Sequence, residues 1–234
     1  MKIGKILSKI NYWKHQLSID KNKKLRNKLF EIIKIKKKQT YDYGEGFFYQ
    51  SIPAINLAGL RDTKQRLEIL KLDEIVEGKK VLDIGCNIGS ILIELKSNYK
   101  KAIGIDYNQE CINVGKQVID NLQKKKLELI CEDFNTFDFK EKFDVVLSLA
   151  NHSTFDKGIS DTKFYFKKIK SLIKKGGVLV IESHAPLFEK KEDFEKTLNL
   201  NYILVDYDLV FESSYNFGNV YDRGRSFKIF QRKQ

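Results

Sequence analysis

The pattern of apolar and polar positions changes near residue 79. From there on, short runs rich in β-branched residues alternate with segments whose apolar residues recur at helical spacing. The runs are "KKVLDIG", "KAIGID", "KLELICED", "FDVVLSLA" and "GVLVIESH". Strands that are apolar throughout are typical of parallel sheets with both faces covered. The pattern therefore predicts an α/β fold with a doubly wound, mostly parallel sheet.

The boundaries of several elements can be read from single residues. Asn108 is placed to cap the helix that follows it, and Gly176 and Gly177 are expected to stop the helix of "DTKFYFKKIKSLIKK". Another helix is predicted to begin at Leu60, and a further one covers "KKEDFEKTLNL". The last two runs, "NYILVDYDLVFES" and "RSFKIFQRK", leave no room for a helix between them and predict an antiparallel pair.

The first 40 residues differ from the rest in both pattern and charge. Apolar residues within 3–17 and again within 25–33 recur at helical spacing with lysines between them, which predicts two short basic helices. This segment holds 13 basic and 2 acidic residues, whereas the remainder of the chain holds 30 and 29. Either the segment packs on the main domain with solvated lysines, or it binds an anionic membrane surface or a phosphate-rich ligand.

The chain is therefore divided into 1–40, a basic helical extension, 41–78, an aromatic segment with a leading helix, and 79–234, the α/β domain. No apolar run approaches the roughly 18–20 residues of a membrane span, and the start lacks the apolar core of a signal peptide. We expect a cytoplasmic protein, held peripherally at the membrane if the basic segment binds lipid. The cysteines, Cys86, Cys111 and Cys131, lack paired spacing, which favours reduced thiols over disulfides or a zinc site, and no metal is predicted.

The stretch "VLDIGCNIGS" predicts a strand that runs into a glycine-bearing turn. Ligands of such sheets bind beyond the carboxyl ends of the strands. The spacing departs from the G-x-G-x-x-G of dinucleotide-binding folds, and the turn lacks the lysine of a phosphate-binding loop. Asn87 stands between Gly85 and Gly89, and asparagine tolerates a positive φ better than other non-glycine residues.

This turn resembles motif I of the class I S-adenosylmethionine-dependent methyltransferases, which has glycines at the positions of Gly85, Asn87 and Gly89. The resemblance covers about residues 60–232. It implies a seven-stranded sheet with an antiparallel last strand, and S-adenosylmethionine as the cofactor. The residues predicted to contact the cofactor are Arg61, Asp83, Gly85, Cys86, Asn87, Gly89, Asp106, Tyr107, Asp133, Phe134 and Leu149.

Residues at the ends of successive strands supply the details of this prediction. Asp106 lies ~20 residues beyond the turn, where a carboxylate can accept both ribose hydroxyls, and Tyr107 can lie against the adenine. At the end of the third strand, the resemblance implies that Asp133 lies near the adenine amino group and Phe134 on the edge of the ring. Methyl transfer is a direct displacement that needs few catalytic side chains, so the sequence indicates the cofactor more clearly than the acceptor.

The end of the fourth strand, "SLANHSTF", is expected to face the transferred methyl group. Many enzymes that methylate amide or nucleobase nitrogen carry a (D/N/S)PP(Y/F) motif there, which this chain lacks because its prolines are Pro53 and Pro186. His152 can take a proton from a hydroxyl near neutral pH, or it can simply bond a neighbouring loop. His184, at the end of the fifth strand, is the second candidate base, and Glu182 and Asp144 are weaker candidates. Whether the acceptor atom is oxygen or nitrogen stays open.

Two flanking segments are expected to close the site. The aromatic segment either covers the cofactor and acceptor or forms an apolar plug, and its candidate acceptor contacts are Tyr41, Tyr43 and Tyr49. Arg61 or Arg66 can pair with the carboxylate of the cofactor, or both can form surface ion pairs on a helix. Arg223 and Arg225 in the last hairpin are expected to bind a phosphate on the acceptor.

Three functions remain open at this point. The first is methylation of a small, phosphorylated or nucleotide-linked metabolite, such as a sugar precursor of a surface glycan, with a hydroxyl as the favoured acceptor. The second is methylation of RNA, with residues 1–40 as a clamp on the phosphate backbone, although the rest of the chain is near neutral. The third is a non-catalytic, cofactor-binding or membrane-associated partner protein.

Overall fold

The computed structural model describes the chain over residues 20–35, 48–96, 98–150, 162–184, 205–215 and 225–234. The helices predicted over residues 3–17 and over "KKEDFEKTLNL" lie outside these ranges. The same holds for four predicted site residues, Tyr41, Tyr43, His152 and Arg223. For Tyr49 and His184, the structure describes the backbone.

Strands and helices alternate over residues 80–131 and again over residues 143–184, as the sequence pattern predicts. The strands of the described ranges are β1 (Phe48–Gln50), β2 (Gly59–Arg61), β3 (Lys80–Ile84), β4 (Lys101–Asp106), β5 (Leu127–Cys131), β6 (Phe143–Leu149), β7 (Ile173–His184), β8 (Tyr207–Tyr215) and β9 (Arg225–Arg232). The helices are α1 (Lys23–Ile35), α2 (Thr63–Ile69), α3 (Leu72–Ile75), α4 (Ser90–Glu94), α5 (Gln109–Leu122) and α6 (Thr162–Leu172), and a short 3-10 turn, Pro53–Ile55, follows β1.

Strands β3 to β9 form one seven-stranded sheet in the order β5-β4-β3-β6-β7-β9-β8, whereas β1 and β2 pair with each other. From β5 to β7, all neighbouring strands pair in parallel. Strand β9 is inserted between β7 and β8 and runs antiparallel to both. The predicted fold, a mostly parallel seven-stranded sheet with an antiparallel last strand, is confirmed.

The continuous apolar runs in the sequence are explained by burial on both faces of this sheet. Successive residues of a strand point to opposite faces. In β3, Val81 packs into a core that includes Val114 of α5, whereas Leu82 packs into a second core with Tyr165 and Ile169 of α6. Both strand residues are 0% exposed. A sheet covered on both sides leaves the strand ends as the place where a ligand can reach the backbone.

The predicted start of the helix before β3 is wrong. Leu60 lies in β2, and α2 begins at Thr63. The side chain of Asp62 caps this helix by accepting hydrogen bonds from the backbone N–H groups of Lys64 and Gln65, at 2.8 and 3.2 Å. A capping aspartate fixes the first turn just after itself, which places the boundary later than the apolar spacing predicts.

The predicted end of α6 is also wrong. The helix ends at Leu172, and the two glycines expected to stop it lie within β7. A Cβ atom at Gly177 would lie 2.7 Å from Cγ2 of Ile173 and 2.9 Å from the carbonyl oxygen of Asp144. Gly177 therefore permits the close approach of β6 and β7, and its role is packing between strands.

The first half of α1 packs on the main domain. Leu29 is 0% exposed and belongs to the same core as Val81. Arg26 is 1% exposed, and its Nη1 donates to Oδ1 of Asp20 at 2.8 Å and to the carbonyl oxygen of Ile55 at 2.9 Å. Of the interpretations of the basic segment, packing on the main domain therefore holds for residues 20–29.

We expect Arg26→Ala to lower the free energy of unfolding by about 2 kcal/mol, because two hydrogen bonds of a charged donor are lost from a buried position. Urea unfolding monitored by circular dichroism measures the change. Lys24→Ala, on the exposed side of the same helix, is the matched control and should change stability by less than about 0.5 kcal/mol. Equal stabilities of the two variants would show that α1 does not dock in solution.

Candidate cofactor and acceptor site

The turn after β3 alternates between ordinary and left-handed backbone conformations. Gly85, Asn87 and Gly89 have φ values of 68°, 55° and 73°. Oδ1 of Asn87 accepts a hydrogen bond from the backbone N–H of Ile88 at 2.9 Å, and this local bond stabilises the one non-glycine residue of the three. A Cβ at Gly89 would lie 2.9 Å from Cδ2 of Leu129, a side-chain end that can shift, so glycine is favoured at this position chiefly by its positive φ. Asn87 therefore keeps the shape that a middle glycine gives to this turn.

Asp106, at the end of β4, is tied to this turn. Its Oδ2 accepts a hydrogen bond from the backbone N–H of Asn87 at 2.8 Å, and its Oδ1 accepts one from the N–H of Asn108 at 2.9 Å. Burial raises the pKa of Asp106, and the two N–H donors oppose that effect. Each carboxylate oxygen has a second lone pair, so both can still accept a hydroxyl. Asn108 in turn caps α5 as predicted, by accepting from the N–H groups at the start of the helix.

Asp83 is a buried carboxylate at the end of β3. The residue is 3% exposed, and among the described residues its carboxylate oxygens have no hydrogen-bond partner. Burial raises its pKa to about 7; the guanidinium of Arg66 lowers it, and the carboxylates of Asp106 and Glu182 raise it further. A buried carboxylate without a partner is costly, so this position suits a ligand that brings a positive charge.

A group of buried charges lies at the carboxyl end of β7 and at the neighbouring amino end of the antiparallel strand β9. Nε of Arg66, from α2, donates to Oε2 of Glu182 at 2.7 Å, and its Nη2 contacts the same oxygen. On the other side, Nε of Arg225 lies 3.4 Å from Oε1 of Glu182. The side chain of Glu182 is 0% exposed, and those of Arg66 and Arg225 are 5% and 1% exposed. We call these three residues the buried charge cluster.

The buried charge cluster changes how three predictions are interpreted. Arg66 belongs to a buried ion pair, so the interpretation that it forms a surface ion pair on its helix is wrong. Nε of Arg225 makes an ion contact with Glu182 but no hydrogen bond within the described part of the chain, and its side chain is almost fully buried, which leaves it little access to a phosphate on the acceptor. Sequence reasoning ranked Glu182 only as a weak candidate base. The available signal was an acidic residue inside the apolar run "GVLVIESH".

The remaining predicted cofactor residues lie along the same edge of the sheet. Tyr107 is 64% exposed beside Asp106, in a position where a planar base can reach its ring. Leu149 ends β6 and pairs in register with Glu182. Asp133 is exposed and accepts a hydrogen bond from the N–H of Asn135 at 2.8 Å. The cofactor contacts assigned to these residues stay predictions.

Two further predicted cofactor residues have buried side chains. Phe134 is 7% exposed, and its ring packs edge-on against Tyr165, with centroids 5.4 Å apart. Its ring is thus part of the core beneath α6. Cys86 is 5% exposed, and burial raises the pKa of its thiol, which keeps it protonated and unreactive. Arg61 ends β2 and is partly exposed.

Some other kinds of site find no support in the described residues. No group of three or more histidine, cysteine, aspartate or glutamate side chains is placed to hold a metal ion within the described ranges. None of the helices described there is both long and apolar enough to cross a membrane.

The sheet order, with β9 between β7 and β8, and the glycine turn bonded to Asp106 define the class I S-adenosylmethionine-dependent methyltransferases. A family model described as a methyltransferase domain matches residues 75–218. The chain belongs to this methyltransferase domain family, and S-adenosylmethionine is its cofactor.

Known proteins that are similar to this chain are methyltransferases as well. A demethylmenaquinone methyltransferase from Bacillus cereus is 27% identical over 129 residues, which is 52% of this chain and 52% of that protein. The chain thus matches about half the length of such curated relatives. The N-methyltransferase NodS from Bradyrhizobium japonicum WM9, in complex with S-adenosyl-L-homocysteine, has a TM-score of 0.60 at 15% identity, over 73% of this chain and 87% of that one.

A second solved structure, magnesium protoporphyrin IX methyltransferase from Synechocystis PCC 6803 with bound cofactor, has a TM-score of 0.55 at 16% identity. It covers 73% of this chain and 78% of that one. At these identities, the likeness of both structures shows the shared fold.

The residues present fit S-adenosylmethionine. The cofactor carries ribose hydroxyls, whose protons the carboxylate of Asp106 can accept in hydrogen bonds. It also carries an α-ammonium, which can pair with the carboxylate of Asp83, a group without a hydrogen-bond partner in the described part of the chain. When bound, it supplies an electrophilic methyl group on a sulfonium. The chain would contribute the turn, Asp106 as an acceptor for the ribose hydroxyls and Asp83 as a counter-charge, which together would orient the cofactor.

We expect the affinity for S-adenosylhomocysteine to fall about tenfold per pH unit below pH 7, because Asp83 takes up one proton there and an ammonium ligand favours the ionised form. Above pH 7 the profile should level off. Since the folded pKa is raised, the ligand-free protein should also lose stability as pH rises from about 4 to about 7. Asp83→Asn should bind more weakly at pH 8 and show a flatter profile, as measured by calorimetry. A wild-type profile as flat as that of Asp83→Asn would contradict the assignment.

We expect Glu182→Met to lower the free energy of unfolding by about 3–5 kcal/mol, because two buried guanidinium groups lose their shared carboxylate. The double variant Arg66→Met with Glu182→Met should lose less than the sum of its two single changes, since the two residues form one interaction. Urea unfolding measures both, with Glu77→Met, at an exposed position, as the control. Additive losses would show that the ion pair contributes no coupling.

Proposed function

We propose that this methyltransferase acts on a hydroxyl group of a small metabolite that is phosphorylated or nucleotide-linked, such as a sugar precursor of a surface glycan. The observation that carries the proposal is the buried charge cluster beside Asp83, at the carboxyl end of β7 and the amino end of the antiparallel β9. Ligands of doubly wound sheets bind at these strand ends. Enclosed, charged surroundings favour a compact polar acceptor over an extended apolar one.

Methylation of a hydroxyl group also requires that one proton leave the acceptor oxygen. Asp106 and Asp83 orient the cofactor, and the cluster holds α2, β7 and β9 in one arrangement around the acceptor. We assign the base to His152, which would take the hydroxyl proton on its imidazole as the oxygen attacks the methyl group. His184, whose backbone pairs with Arg225 at the end of β7, is the second candidate.

Binding of a phosphate on the acceptor is the part of the proposal that the cluster supports least directly. Because Arg225 is engaged with Glu182, the phosphate would need another cation. Arg223 remains the candidate from the sequence for that role, and Tyr41, Tyr43 and Tyr49 remain candidates for covering the acceptor.

Two alternative acceptors have observations in their favour. The relative that methylates demethylmenaquinone favours a quinone-like acceptor, taken from a membrane to which residues 1–40 would attach. RNA is favoured by the charge of the same segment, but the packing of Arg26 and Leu29 uses part of that segment inside the protein. A partner protein without turnover is disfavoured, because the turn and both carboxylates are intact.

Methyl-labelled S-adenosylmethionine, incubated with the purified protein and a lysate of its source, tests the acceptor class. After separation, we expect label in the polar metabolite fraction, with a phosphate that phosphatase treatment releases and a methyl ether that resists mild base. Label in the lipid extract would support the quinone acceptor instead, and label in RNA would support the clamp. Cofactor binding without label in any fraction would support the hypothesis of a non-catalytic partner protein.

The same assay compares the two histidines. His152→Ala should keep the affinity for S-adenosylhomocysteine and cut turnover by about 10²–10⁴, the usual contribution of a general base, with His184→Ala as the matched variant. If His184→Ala shows the larger loss, the two roles are exchanged. If neither variant loses turnover, the acceptor proton leaves without a histidine base.

A further inference from the structure

Gln50, at the end of β1, is a buried amide beside the glycine turn. The residue is 7% exposed. Its Oε1 accepts a hydrogen bond from the hydroxyl of Ser90, the residue that follows the turn. Among the described residues, its Nε2 has no hydrogen-bond partner, although an amide nitrogen carries two donors. This nitrogen is not among the fully buried atoms that lack a partner, so it reaches the surface, where a ligand can accept a hydrogen bond from it.

The backbone around Gln50 is held tightly, so this amide has a fixed position. Gln50 pairs in register with Arg61 across the parallel strands β1 and β2. A Cβ atom at Gly59 would lie 2.1 Å from the backbone carbon of Gln50, so glycine there lets the two strands approach closely. Ser51 then bonds the backbone N–H of Thr63 through its Oγ at 3.0 Å, which joins β1 to the start of α2.

The order of the strands indicates which end of the cofactor lies nearby. In the sheet, β4 with Asp106 is on one side of β3, and β6 and β7 are on the other. A cofactor whose ribose binds Asp106 therefore extends its amino-acid end across β3, towards Asp83 and the buried charge cluster. Arg66 of that cluster and Arg61 belong to the same short stretch of chain as β2 and α2. The amino-acid end carries a carboxylate, which can accept hydrogen bonds from an amide N–H and from a guanidinium.

We propose that Gln50 binds the carboxylate of the cofactor through its side-chain Nε2, with Arg61 as its neighbour on the two-stranded sheet. Ser90 holds the amide oxygen, so the nitrogen is oriented before the ligand arrives. Asp83 would bind the ammonium of the same amino-acid end. Gln50 and Asp83 would then bind groups of opposite charge that lie close together in the cofactor. The proposal rests on the cofactor and not on the acceptor, so the two can fail separately.

Two ligands distinguish binding of the carboxylate by Gln50 from a purely structural role of this residue. S-adenosylhomocysteine carries both the carboxylate and the ammonium, whereas decarboxylated S-adenosylhomocysteine keeps the ammonium and lacks only the carboxylate. Gln50→Glu keeps an oxygen that can accept from Ser90 but replaces the N–H donor by a negative oxygen. We expect this variant to bind S-adenosylhomocysteine at least tenfold more weakly than wild type, and the cationic decarboxylated ligand no more weakly. Calorimetry on the full chain at pH 8 measures both affinities.

Gln123→Glu is the matched control, because Gln123 is exposed at the far end of α5 and the change in charge is the same. It should leave both affinities within twofold of wild type. Should Gln50→Glu not fold, Gln50→Met replaces it, and we then expect S-adenosylhomocysteine to lose about tenfold and the decarboxylated ligand less than twofold. Equal losses for the two ligands would make Gln50 a structural residue, and unchanged affinities would remove it from the site; either result overturns the proposal.

Discussion

The ion pair between Arg66 and Glu182 is the interaction on which the rest of this site depends. It joins a helix that precedes the sheet to a strand near its far side, and Arg225 extends the contact to β9. Burying these charges has a large desolvation cost, and apolar residues of the same volume would be at least as stable in many proteins. The charges are therefore best explained as a means of fixing one arrangement of α2, β7 and β9, the arrangement that the proposed acceptor would meet.

A second constraint acts on the cofactor side. The turn after β3 is fixed by three left-handed residues and by one hydrogen bond to Asp106, so the ribose acceptor and the turn cannot move independently. Asn87 meets this constraint with a side chain that bonds its own turn. Both halves of the site thus consist of groups placed before any ligand binds, as catalysis by orientation requires.

The sequence predicts those parts of the molecule that depend on local pattern. Apolar runs such as that of β3 indicate a covered parallel sheet, and the spacing of Gly85, Asn87 and Gly89 indicates the cofactor. The parts that were missed depend on contacts between distant residues: Arg66 meets Glu182 across 116 positions, and Ser90 meets Gln50 across 40. A single sequence gives the residue types but not the distances between them. It therefore indicates Glu182 only weakly as a site residue and does not indicate Gln50. The two wrong helix ends have the same origin, since capping at Asp62 and strand packing at Gly177 outweigh local helical spacing.

The insertion of β9 between β7 and β8 has a consequence for the order in which the protein is made. Because β9 follows β3 to β8 in the sequence, a chain growing on the ribosome can pair β3 to β7 long before Arg225 is synthesised. Until then, Glu182 has one of its two cationic partners, and β8 has no described strand beside which to pair. The part of the sheet that carries Asp83 and Asp106 can therefore form during synthesis, whereas the buried charge cluster is completed only when β9 emerges.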